Sequence, residues 1–224
     1  PASFILALDE ILENAGIDMW YDTVICEAEM EGNKVIGAVV ENKSGRGVIK
    51  ANAFVDATGD ADLAHRAGAA CAVQGNYLSL WGMGYSLDVA KQAVKDNSGD
   101  ALAQLIGYGS SDAGDGQPEG QRLLSGVDGE DVSEFVVRSR KLALDSFKKL
   151  QLEKGVNGRR DVFPAMLPAM CNFRTTRRIE GMLTIKTGDE FKHYDDCVGV
   201  VADWRGGNDI WELPYRSMLP VNLK

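Results

Sequence analysis

The stretch that decides the fold reads Ala51-Asn52-Ala53-Phe54-Val55-Asp56-Ala57-Thr58-Gly59-Asp60. An apolar run of strand formers closes on a turn of small residues, and residues 62–67 follow with a helical pattern. In open α/β sheets, a strand that feeds a glycine turn and then a helix lets backbone approach a ligand closely, because glycine has no Cβ to hold it off. Ala57, Thr58, Gly59 and Asp60 are therefore the first candidate binding residues. The plainer alternative is an ordinary strand-to-helix turn with Asp60 as the helix cap.

Upstream, Phe4, Leu8, Ile11, Leu12 and Ala15 fall on one helical face, and Gly16 stands where a left-handed residue ends a helix. Residues 2–15 are predicted to form an amphipathic helix. Strand-forming runs at 17–30, 34–40 and 48–57 are separated by Glu31-Gly32-Asn33 and by a polar glycine-rich turn at 42–47. The expectation is a helix followed by a hairpin-linked antiparallel meander.

Downstream the character changes near Gly75, where Gly, Ser and aromatic residues become frequent, and helical patterns follow at 86–95 and 100–106. Residues 107–120 are dense in Gly, Ser, Asp and Pro and predict a loop or lid. Asp131-Val132-Ser133-Glu134 has the form of a capping box, and apolar residues at helical spacing from Val132 to Leu150 predict the longest helix. Short strands are expected at 161–163 and 182–185. The composition divides the chain into 1–73, 74–212 and a returning segment at 213–224, of mixed α and β class.

The bulk numbers narrow the function. With 45% hydrophobic and 25% charged residues the chain is globular. A net charge of −9 argues against a grip on nucleic-acid phosphates or an anionic membrane, which needs clustered cations. No apolar run approaches a membrane span. Cys26, Cys71, Cys171 and Cys197 share no metal-knuckle spacing and read as reduced thiols of a cytoplasmic protein, and His65 and His193 lie far apart, so no metal is predicted. A small molecule is the expected ligand. The chain opens at Pro1 without a methionine and stops at Lys224, so both ends read as cuts in a longer protein.

The second candidate is Arg174-Thr175-Thr176-Arg177-Arg178-Ile179-Glu180-Gly181. Three guanidinium groups within five positions repel one another unless an anion or carboxylates neutralise them. They face either a bound anion or the chain's own acidic side chains, and a solvated charged surface is the bland alternative. Tyr77, Trp81 and Tyr85 could line a flat site or belong to the core. Cys171 is either a reactive thiol beside the arginines or a buried small apolar residue. His193-Tyr194-Asp195-Asp196 reads as a polar strand edge or loop.

Taken together, three separated motifs resemble the FAD-dependent oxidoreductases of the glutathione-reductase superfold. Residues 51–69 resemble the strand that runs into Asp-Ala-Thr-Gly-Asp beside the flavin nucleotide; Arg174 to Gly181 resembles the family's arginine motif; and Leu213-Pro214-Tyr215-Arg216-Ser217-Met218-Leu219-Pro220 resembles the approach to its closing flavin-contact strand. The resemblance implies a partial FAD-binding, Rossmann-like domain with an antiparallel meander, plus a mixed substrate domain. It implies FAD as cofactor, with Thr58, Gly59 and Asp60 on its side and the backbone near Val24 and Ile25 offered to the adenine. Arg174, Arg177 and Arg178, with Arg216 in the same cavity, then stand near the flavin or an anionic substrate.

The pattern is incomplete: the fingerprint G-x-G-x-x-G, which holds the pyrophosphate, is absent from these 224 residues. The isolated chain is therefore expected to bind FAD weakly or not at all, and to be inactive alone. A cofactor-free binding or assembly module on the same architecture is the rival reading. Uncovered strand edges point to homodimerisation or rearranged packing.

Overall fold

The computed structural model describes residues 2–99, 104–109, 114–168, 173–203 and 207–223. In chain order the elements are α1 (Ala2–Asn14), β1 (Val24–Glu31), β2 (Lys34–Asn42), β3 (Gly45–Lys50), α2 (Asp62–Arg66), β4 (Cys71–Val73), β5 (Ser79–Ser86), α3 (Leu87–Asp96), β6 (Gln104–Gly109), α4 (Gly129–Glu153), α5 (Gly158–Asp161), β7 (Val162–Met166), β8 (Arg177–Ile179), β9 (Cys197–Ala202) and β10 (Ile210–Pro214). The class is mixed α and β, as the alternation of periodicities predicts. The chain divides into two compact units, one joining 1–71 to 179–224 and the other formed by the contiguous stretch 72–178.

In the first unit β1, β2 and β3 form the expected antiparallel meander, with β2 in the middle. Gly32 takes φ 61° in the tight connection between β1 and β2, a conformation that suits glycine. Ala38, Val39 and Val40 of β2 are buried, as the central strand of a meander should be, and Leu63 of α2 is buried as well. The helix α2 packs against β1. Near the C-terminus β9 and β10 pair antiparallel, and a 3-10 turn at Tyr215–Met218 follows.

The two sequence pieces of this unit are stitched by hydrogen bonds. The amide of Glu180 donates to the carbonyl of Ala70 at 2.7 Å. The Asn222 side chain accepts from the Ala70 amide at 3.1 Å and donates to the Gly68 carbonyl at 2.7 Å.

The second unit pairs β5 with β6 on one side and with β7 on the other, both antiparallel. The 25-residue α4 buries Asp131, Phe135, Ser139, Ala143 and Phe147, one residue every four, which marks the stripe it turns inward. Leu78, Leu124 and Phe135 form the core of this unit, and Phe173 packs on it with its ring 4.1 Å from that of Phe135.

Several expectations are corrected. The third strand ends at Lys50 and residues 51–57 form no strand, because no described segment pairs with them and a strand exists only through its partner. Val55, in the middle of that apolar run, is 94% exposed. The helix α4 begins a turn earlier than the capping-box pattern implies: Asp128 caps it by accepting from the Asp131 amide at 2.8 Å. Asp131 is turned inward, where its carboxylate takes the Ser125 amide and hydroxyl and pairs with Arg122. Ser125 chiefly, with Arg122, pulls the Asp131 pKa down to about 2.

Residues 104–106 belong to β6 and not to a helix; the remainder of that expected helix, 100–103, lies outside the described residues. At 182–185 there is no strand either. Gly181 makes a single antiparallel bridge with Pro220, and the ladder goes no further.

Candidate functional site

The turn after the apolar run in the first unit is built by Asp56. Its Oδ1 accepts from the Thr58 amide at 3.1 Å and from the Thr58 hydroxyl at 2.8 Å, while its Oδ2 accepts from the Ala64 amide, inside α2, at 2.8 Å. Thr58 Oγ1 in turn accepts from the Asp62 amide at 2.9 Å. The Thr58 hydroxyl is thus committed to shaping the turn and starting α2. In the sequence, an Asp two residues before a Thr in a small-residue turn is the signal for such a side-chain-to-backbone clasp.

Two backbone conformations at this turn are unusual. Gly59 has φ +90°, and a Cβ placed there would meet nothing within 4 Å, so the glycine is set by conformation and its outer face is open. Ala61 sits in the left-handed region at φ 52° and ψ 43°, which costs a residue with a Cβ about 1–2 kcal/mol. Strain of this kind persists where surrounding contacts fix it, and Asp56 and Thr58 do so here.

Because α2 follows the turn directly and packs against β1, the structure brings the 57–60 turn and the β1 strand into one neighbourhood. β1 is an outer strand of its sheet, with β2 as its one neighbour, so the edge away from β2 faces no other strand of that sheet. Val24 is 65% exposed, and the ladder is broken by a bulge between Ile25 and Glu27. An outer strand thus lies near a glycine turn whose outer face is open. The stretch 51–62 contains only acidic charge, so nothing in it neutralises a pyrophosphate. A dinucleotide contact at this turn would therefore go through backbone and not through charge.

The arginine segment is held in the second unit by Asn76, which is 1% exposed. Asn76 Oδ1 accepts from the amides of Arg174 at 2.9 Å and Thr175 at 2.8 Å. Its Nδ2 donates to the carbonyls of Leu124, at 3.1 Å, and of Thr175. One residue further on, the Gln74 amide donates to the Thr176 carbonyl at 2.9 Å. Arg174 and Arg178 are exposed and Arg177 is half-buried, with Arg177 and Arg178 in β8. Nothing in the pattern of charges points to Asn76; its importance comes from its burial, which demands partners for its amide.

Arg216 belongs to the first unit and is paired with Asp196, each side-chain contact being 2.9 Å, while the Arg216 amide also donates to Asp196 Oδ2 at 2.9 Å. This fork holds the Asp196 carboxyl down at about 2. Nearby in sequence, His193 Nδ1 lies 3.0 Å from Glu212, which raises the imidazole pKa, and Glu212 also accepts the Tyr194 amide at 2.7 Å. His65 is exposed on α2.

Of the aromatic candidates, the Tyr77 ring lies where a Cβ on Gly114 would come within 3.0 Å of it, and Tyr85 meets Phe163 edge-on at 5.9 Å. Both contribute to packing; Trp81 is exposed on β5. Cys171 lies outside the described residues. Among the described residues no group of His, Cys, Asp and Glu could hold a metal ion, and no helix is long and apolar enough to cross a membrane.

Comparison with known proteins adds one finding. A protein-family model described as FAD dependent oxidoreductase matches residues 1–78. Searches of curated proteins and of solved structures return no match. The matched stretch contains the meander with its outer strand β1, the Asp56–Asp62 turn and Asn76. Over residues 1–78 the chain is accordingly similar to the FAD-dependent oxidoreductases, a family that works with FAD.

Proposed function

We propose that the chain contributes the adenine-side wall of a flavin site and part of the substrate domain to an enzyme that moves a hydride between FAD and a small organic molecule. The observation that carries this reading is the open Gly59 turn set near β1, an outer strand of its sheet, within the stretch that matches the family. When bound, the flavin supplies the two-electron chemistry and the polypeptide supplies binding and orientation.

On this reading the backbone of Val24 and Ile25 receives the adenine edge, and Gly59 gives close approach that a side chain would deny. Asp56 and Thr58 keep the turn in that shape. Arg174, Arg177 and Arg178 supply positive charge to an anionic substrate or to the reduced, negatively charged ring. Arg216, spent on Asp196, contributes order to its own unit before it contributes charge to a ligand. The Rossmann-like architecture implied by the resemblance belongs to the same proposal, as does the division into flavin-binding and substrate domains.

The test is an FAD titration followed by flavin fluorescence, on this chain and on a longer polypeptide that adds flanking sequence with a G-x-G-x-x-G fingerprint. Binding by the longer polypeptide and weak binding by the chain alone is the expected result. Binding by neither overturns the flavin reading in favour of a cofactor-free module. In the longer enzyme Arg177→Ala lowers turnover, and unchanged turnover removes Arg177 from the mechanism.

A further inference from the structure

We propose that Asn76 is the positioning residue of the arginine segment: a buried amide that fixes the backbone from which Arg174, Arg177 and Arg178 present charge to a carboxylate ligand. The proposal rests on the functional reading of those arginines and specifies what sets their geometry.

The argument begins with hydrogen-bond capacity. A primary amide has two N–H donors and one oxygen with two acceptor sites. Asn76 uses all four, on the Arg174 and Thr175 amides and on the Leu124 and Thr175 carbonyls. Two amides on one side and two carbonyls on the other also fix which end of the side chain is oxygen. Its own backbone is engaged too: the Asn76 amide donates to Leu124 at 2.7 Å, and the Leu124 amide returns a bond at 3.0 Å. The residue therefore ties Thr175, by both its N–H and its C=O, to the strand-like pairing of 76 with 124.

Location gives these bonds their force. Asn76 stands two residues from Leu78, and Leu124 and Phe135 complete the core beneath it. Phe173, next to Arg174, packs on the same core. The segment is thus pinned at Phe173 by apolar contact, at Arg174 and Thr175 by Asn76, and at Thr176 by Gln74. In a site of low exposure, such bonds cannot be exchanged for water without leaving buried groups unpaired.

Arginine side chains are long and lose rotamer freedom when they grip a ligand; a fixed backbone removes the further cost of ordering the main chain. A fork of N–H groups that must meet two carboxylate oxygens at once depends on that fixing more than a single point charge does. Asn76 touches no ligand on this account, so its effect appears in affinity for the anion and in the protection of two amides.

The first measurement needs no variant. Hydrogen exchange of the chain should show the Arg174 and Thr175 amides protected although both residues are exposed; exchange at the rate of open loops overturns the proposal. The second uses malonate as the carboxylate probe, titrated by calorimetry against the chain and against Asn76→Ser, Asn76→Asp, Arg177→Ala and Gln117→Ala. Gln117 is the control because its side chain clasps both the N–H and the C=O of Leu78, in the same core.

Asn76→Ser and the isosteric Asn76→Asp are expected to weaken malonate by about tenfold, the scale of one arginine–carboxylate hydrogen bond lost when the segment loosens, with Gln117→Ala near wild type at a similar loss of thermal stability. Equal weakening by Gln117→Ala makes Asn76 a mere stabiliser and overturns the proposal. If the chain binds malonate and Arg177→Ala leaves that binding intact, the arginine reading fails while the exchange result still judges Asn76. If the chain binds no malonate, both fail.

Discussion

Asp196 holds Arg216 through both carboxylate oxygens, each 2.9 Å from a guanidinium nitrogen, and accepts the Arg216 amide besides. Its folded pKa of about 2 lies below the ordinary 3.8, so the ionised carboxylate favours the folded chain. That contribution is complete above the ordinary value and is lost as pH falls from there toward about 2. Thermal midpoints measured across this window should fall for the wild-type chain and fall less for Asp196→Asn. Asp131, held near the same value, keeps part of the slope in the variant. His193 acts oppositely: its pKa is raised, so its contribution is present at acidic pH and disappears as pH rises through the folded value.

Replacing Ala61 by glycine relieves a left-handed alanine. The strain of about 1–2 kcal/mol exceeds the extra chain entropy that glycine loses on folding, roughly 0.5–1 kcal/mol. Urea unfolding should show Ala61→Gly more stable by several tenths of a kcal/mol. Gly59→Ala moves the other way, by about 1 kcal/mol or more, since alanine is strained at φ +90° even in open space. A destabilised Ala61→Gly would mean that the turn does not hold this conformation in solution.

Truncating Phe135 to alanine empties the centre of the second unit. The residue is 1% exposed and stacks against Phe173, so a loss of about 3–5 kcal/mol is expected. Chemical denaturation reads the loss directly. A cost under about 1 kcal/mol would place Phe135 outside the core.

Asn222→Ala cuts the clasp between the C-terminal piece of the first unit and the backbone at Gly68 and Ala70. Two modest hydrogen bonds in an exposed setting contribute about 1 kcal/mol together. The expected readout is faster exchange of the Ala70 amide with little change at Phe135. Uniform loosening of both units would refute a local role.

Local pattern read well where each element carries its own signal. The helix α1, the meander turns at Gly32 and Gly45, and the long α4 were legible because periodicity and turn chemistry are properties of neighbouring residues. The stretch 51–57 was not, since its composition favours a strand but a strand needs a partner that composition does not reveal. The same holds for β9 and β10, where the apolar run at Val198, Val200 and Val201 carries no local sign of the strand it pairs with. At the candidate sites the conspicuous residues, Gly59 and the arginines, were visible as types. Asp56 and Asn76 matter through backbone groups as many as 99 positions away, and no spacing in the sequence encodes that.

The discontinuous first unit has a kinetic consequence. Its pieces, 1–71 and 179–224, are joined by the bonds of Glu180 and Asn222 to residues 68–70, yet the whole of 72–178 intervenes along the chain. Left as flexible coil, that stretch would impose a loop-closure penalty growing with the logarithm of its length before those bonds could form. Once it has folded, with β4 and β8 paired, its ends are already neighbours and the penalty has been met. Refolding should therefore be ordered, the inserted unit first and the divided one second, so that mutations slowing the former also delay the latter without touching it.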